Sequence, residues 1–195
     1  MASSVVDLIN NSLSLVGADF ITSIDQNTRA AVVSKQVYPG VRDATLRAFT
    51  WNCAEKAVIL APLATPPAFV WAYAFQMPSD CLRIIQIEGE PEYKVQGRTI
   101  LVNQDAIQLT YVFRQEDVTQ YDALLSSCME ARLAAELAFS LLESKSLRDD
   151  MWGLYTIKLK EAKGVDSRER SIQTFDTDIW LASRQANASR FRNDR

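Results

Sequence analysis

The stretch LLSSCMEARLAAELAFSLL, residues 124–142, constrains the fold of this chain more than any other. Leu124, Leu125, Cys128, Met129, Leu133, Leu137 and Leu141 recur at helical spacing. Ala131, Ala134, Ala135, Ala138, Phe139 and Leu142 widen that stripe well past one face. A helix apolar over most of its circumference is buried from several sides. The pattern predicts this helix over residues 121–142, following Asp117-Val118-Thr119.

Other segments carry narrower helical stripes. Ser4-Val5-Val6-Asp7 opens like a capping box with the acid in place of Glu. Val5, Leu8, Ile9, Ser12, Leu13 and Val16 then follow at helical spacing, and Gly17 is a natural stop. A second helix is expected over residues 28–49, after the polar cluster Asp25-Gln26-Asn27. Its stripe is Val33, Val37, Val41, Ala44, Ala48 and Trp51, and Pro39-Gly40 predicts a kink or restart. Ser146-Leu147-Arg148-Asp149 reads as the start of a more polar helix with Met151, Trp152, Leu154, Tyr155, Ile157, Leu159 and Ala162 on its apolar side.

Between these halves the texture changes. Residues 57–60, 69–76, 81–88, 93–96, 99–103 and 107–114 read as strands, broken by Pro62, Pro66-Pro67, Pro78-Ser79-Asp80, Gly89-Glu90-Pro91 and Gly97. Short strands at turn-sized gaps predict an antiparallel meander or small barrel, with a tight hairpin at Gly97. The expected fold class is therefore α+β, mainly helical: an antiparallel helix bundle with an inserted antiparallel β-rich subdomain and an extended C-terminal arm. The divisions fall at 1–50 and 118–165 for the bundle, 51–117 for the insertion and 166–195 for the arm.

Composition narrows the function. Of the 195 residues 48% are hydrophobic and 23% charged, the balance of a chain that folds rather than stays disordered. There is no histidine, which removes the commonest general base and metal ligand at neutral pH. No glycine-rich phosphate loop is present either, so neither a metal nor a cofactor is expected. Cys53, Cys81 and Cys128 form no CxxC pair and read as buried free thiols. The start Met1-Ala2-Ser3-Ser4 has no basic leader and no apolar run approaches the ~20 residues of a membrane span, so a reducing cytosol is the expected site of synthesis. A net charge of -3 argues against a general polyanion binder.

Candidate catalytic groups have plainer readings. Asp149-Asp150 and Glu116-Asp117 sit at expected helix starts, where acids favour the macrodipole. Lys56, Lys94, Lys158 and Tyr93 read as solvated faces, and Trp51, Trp71 and Trp152 as core or interface residues. The arm differs. Residues 168–195 hold six arginines against Glu169, Asp176, Asp178 and Asp194, with isolated apolar residues between them. Nothing there builds its own core, so Phe175, Ile179, Trp180, Arg184, Phe191 and Arg192 read as residues of a docking arm. Its locally basic end points to an acidic protein partner; the alternative is a nucleic-acid-binding module using the arm arginines on phosphates. Arg42 and Arg47 fall off the stripe of the second helix, which leaves them for solvent, a neighbouring subunit or another partner.

Several phrases in order carry a family resemblance: Leu15-Val16-Gly17, Ile21-Thr22-Ser23-Ile24-Asp25, YPGVRDATLRAFTWNCAEKAVILAPL, YAFQMPSDCLRI and ARLAAELAFSLLESKSL. Over residues 5–165 the chain resembles the tail tubular protein A family, the head-to-tail adaptors (connectors) of tailed bacteriophages. The resemblance implies a non-enzymatic virion protein, a helical bundle with a β-rich insertion, that assembles in the host cytoplasm as a dodecameric ring at the head–tail interface. One face of such a ring meets the portal protein and the other the tail nozzle protein, and genomic DNA passes through the bore without specific binding. It also implies that the C-terminal arm docks on the portal; independently of it, the widely apolar helix suits a subunit buried on several sides by neighbours.

Overall fold

The computed structural model describes residues 4–169. The arm residues Phe175, Ile179, Trp180, Arg184, Phe191 and Arg192 lie outside them. Within the described residues the chain is α+β, with four helices and two small antiparallel sheets.

Local chemistry sets most helix ends. Helix α1 (Val5–Val16) starts where Ser4 Oγ accepts from the Asp7 N–H at 3.1 Å, and ends where Gly17 takes φ 72. There the Ala18 and Gly17 N–H groups turn back to the Leu13 and Ser14 carbonyls, closing the last turn. Helix α2 (Arg29–Arg47) is capped by Thr28, and α3 (Ala123–Leu142) by Asp122. Helix α4 (Lys145–Glu169) begins with Ser144 Oγ accepting from Leu147 N–H, so Ser144 rather than Ser146 caps it. Asp149 and Asp150 consequently fall in its second turn, and residues 166–169, assigned above to the arm, extend the helix.

Helix α2 is continuous through Pro39, so of the two expected outcomes the helix does not restart there. Pro39 and Gly40 face solvent, so the carbonyl that loses its N–H partner to the ring is open to water instead of being stranded in a core. The buried row is Ala31, Ser34, Tyr38, Val41 and Thr45; Val33, Val37 and Ala44 lie half-buried beside it. Burying Thr45 is tolerable because its Oγ1 donates to the Val41 carbonyl at 2.8 Å.

Helix α3 packs on α1, α2 and α4 at once. Most of its wide apolar surface is therefore covered within the chain, while Phe139 and Leu142 near its C-terminal end stay exposed. Only Glu143 and Ser144 separate α3 from α4, which makes the two an antiparallel hairpin.

The strands are β1 (Glu55–Leu60), β2 (Tyr73–Gln76), β3 (Cys81–Ile87), β4 (Tyr93–Gln96), β5 (Thr99–Val102) and β6 (Ile107–Phe113). They form two sheets, ordered β1-β6-β3 and β2-β5-β4, rather than one meander. The hairpin at Gly97 is present: Gln96 pairs with Thr99 across Gly97-Arg98, and Gly97 takes φ 62. The strand expected over 69–76 begins only at Tyr73, because Val70 takes φ 72 in an exposed loop.

The two sheets share a core of Phe75, Cys81, Ile87, Ile100, Val102, Ile107, Leu109 and Tyr111. Strand β3 also serves the helical core. Bulges between Cys81 and Arg83 and between Ile84 and Gln86 break its alternation, so Cys81, Ile84 and Ile87 face the sheets while Leu82 and Ile85 pack with the helices. Sheet β1-β6-β3 is thus the middle layer between the helices and the second sheet.

Candidate interaction site at the lobe junction

The C-terminal half of α2 leads into the first strand, and its side chains join the helical lobe to the β lobe. Trp51, fully buried, donates from Nε1 to the Thr45 carbonyl at 3.0 Å and packs edge-on against Phe49 with ring centroids 5.1 Å apart. Asn52 donates twice to Asp166 of α4, N–H to Oδ1 and Nδ2 to the carbonyl, each at 3.2 Å. The end of α4 is therefore held against the turn where the helices give way to strands.

The polar residues of this joint form a connected set. Arg42 reaches Asp43 Oδ1 at 3.0 Å and Glu116 Oε1 at 3.4 Å, while Arg114, just after β6, places Nε and Nη2 on Asp43 Oδ2 at 2.8 Å. The Arg42 side chain is only 12% exposed. Its guanidinium is ion-paired within the chain, to Asp43 and Glu116. Arg47, exposed, donates to the Leu82 carbonyl of β3. Its remaining donors stay open to a partner.

Asp80 extends the set on the β side. It accepts from Lys56 Nζ and from the Tyr111 hydroxyl, each at 3.1 Å. Partial burial raises the Asp80 pKa, but the hydrogen bonds from Lys56 and Tyr111 outweigh it and leave the carboxyl below its ordinary range. Burial, with the neighbouring Asp80, pushes the Tyr111 phenol up to about 12.

The three cysteines are free. Burial pushes Cys53 up to about 11 and Cys128 up to about 12, and raises Cys81 as well, so none is a thiolate nucleophile at neutral pH. Among the described residues no group of three or more His, Cys, Asp and Glu is placed to hold a metal, and no helix is long and apolar enough to cross a membrane.

The sequence reading missed two members of this region, Arg83 and Arg98. Both line a concavity of about 400 Å³ together with Arg47. The available signal was an arginine inside the apolar run of β3, Cys81–Ile87. Neither a protein-family model nor a curated protein matches this chain.

Proposed function

We propose that this chain is the subunit of a head-to-tail adaptor, a ring between a portal and a tail nozzle through which genomic DNA passes without being gripped. It works by assembly rather than by catalysis and needs no cofactor. Its place is the virion, and its arm, with Phe175, Ile179, Trp180, Arg184, Phe191 and Arg192, docks on the portal.

The observation that carries this reading is where the resembling phrases sit in the fold. YPGVRDATLRAFTWN runs from the middle of α2 through the buried Trp51 to the joint with Asp166. SDCLRI opens β3, the strand shared by both cores, and ARLAAELAFSLL is the C-terminal part of α3, the helix that packs on the other three. Two of the resembling phrases therefore fall where the β lobe joins the helices and the third on the central helix, which supports the reading.

The purified chain mixed with its cognate portal is expected to form a ring, seen in negative-stain images and as a discrete high-mass species in mass photometry. The same chain ending at residue 174 is expected to keep its circular dichroism spectrum and lose the portal complex. A monomer that never joins the portal would overturn the adaptor reading; intact binding without the arm would overturn only the arm's role.

A further inference from the structure

The concavity at the β side of the joint is lined by three guanidiniums, those of Arg47, Arg83 and Arg98, over a floor that includes Met77, Ile84 and Tyr93. Sequence separates the arginines widely; the fold gathers them from the end of α2, from β3 and from the hairpin after β4. Among the described residues none of the three forms an ion pair with a carboxylate. Asp80, whose charge bears on the adjacent Cys81, is already engaged by Lys56 and Tyr111.

Two of the arginines are held by main-chain carbonyls, Arg47 by Leu82 and Arg98 by Pro78. Those bonds fix the side chains without neutralising them. Arg83 Nε is buried with no hydrogen-bond partner. Three cations gathered without a carboxylate partner favour an incoming carboxylate, which takes charge-assisted hydrogen bonds from the guanidinium donors that remain open. The half-exposed ring of Tyr93, 42% accessible, and the aliphatic floor suit apolar side chains flanking that carboxylate.

The chain carries a segment of this chemistry. Residues 175–180 read Phe-Asp-Thr-Asp-Ile-Trp, with Asp176 and Asp178 set among Phe175, Ile179 and Trp180; the arm's arginines resume only at Arg184. Reach is sufficient. Helix α4 is described as far as Glu169, with Asp166 bonded to Asn52 and Lys163 Nζ 5.6 Å from the centre of the Phe49 ring, two residues from Arg47. Seven residues from 169 to 176 span up to about 23 Å.

We propose that in the unassembled chain the arginine pocket is the seat of the chain's own segment 175–180, with the Asp176 and Asp178 carboxylates taken by Arg47, Arg83 and Arg98. Where the arm docks on a portal, as the adaptor reading has it, the seat must first be vacated. The seating itself does not depend on that reading and is tested on the free subunit.

The test uses the full chain with p-benzoylphenylalanine incorporated in place of Tyr93, irradiated as a dilute monomer, digested with trypsin and read by mass spectrometry. The expected product, on a band of single-chain mass, joins the residue-93 peptide to the peptide 171–184. Asp176→Asn with Asp178→Asn keeps side-chain size, removes both charges and lowers that yield about tenfold, the effect of losing charge assistance from a pair of hydrogen bonds. Crosslinks between two chains, crosslinks to no peptide of 170–195, or an unchanged yield in the double variant would each overturn the proposal. None of these outcomes bears on ring formation.

Discussion

At the end of α3, Glu143 takes φ 55 while its N–H closes onto the Phe139 carbonyl at 3.0 Å. Glycine is the usual residue at such a position, because a side chain in the left-handed region costs about 1–2 kcal/mol. Glycine also loses more freedom on folding, which cancels part of the gain. Glu143→Gly is therefore expected to stabilise the protein by about 0.5–1 kcal/mol, measured by urea denaturation. A loss of stability would mean that the glutamate side chain is itself needed between α3 and α4. The same conformation at Val70 is harder to accommodate, since a branched side chain fits the left-handed region poorly.

At the scale of elements, Arg132 ties α3 to α4, beside Lys158 Nζ donating to Ser127 Oγ and Arg148 over the Phe139 ring. Arg132 of α3 donates to the Tyr155 hydroxyl at 3.1 Å, and its guanidinium carbon lies 5.2 Å from the Tyr155 ring centre and 5.6 Å from that of Trp152. Arg132→Ala removes one charged hydrogen bond and the ring contacts, and is expected to cost about 1–2 kcal/mol. Chemical denaturation reads this loss, and an unchanged midpoint would leave the pair to its packing and its other polar contacts. Strand β3 makes a different point about elements. Its two bulges let one strand feed both cores, and period-two reading of CLRIIQI does not reveal them.

At the scale of the molecule, the half-buried Cys53 and the buried Cys128 act at alkaline pH. The folded pKa values of Cys53 and Cys128, about 11 and about 12, stand above the ordinary 9.0, so the folded state holds its protons more tightly than the unfolded chain. Their contribution is complete below pH 9.0 and is lost as pH rises through the folded values. The denaturation midpoint is expected to fall steadily from about pH 9 to about pH 11, and a flat profile there would refute it. On the acid side the sign reverses. Asp80 titrates below its ordinary range, so its contribution is present above that range and disappears as pH falls through the lowered value.

Much of this molecule was determined by short stretches of sequence, because caps and tight turns close over three or four residues. Ser4, Gly17, Thr28, Asp122 and the Gly97 hairpin act on neighbours in the chain, and the elements they bound stand close to where local pattern puts them. Helix α3 announced its burial by composition, although which segments cover it was a matter of packing. Only the tertiary structure decided the strand order β1-β6-β3, the unbroken passage of α2 through Pro39, and the pairing of Arg42 with Glu116. The gathering of Arg47, Arg83 and Arg98 belongs to the same class. Each requires partners brought together from distant parts of the chain, or a direction of facing set by what the rest of the fold covers. Periodicity along one segment carries no record of either.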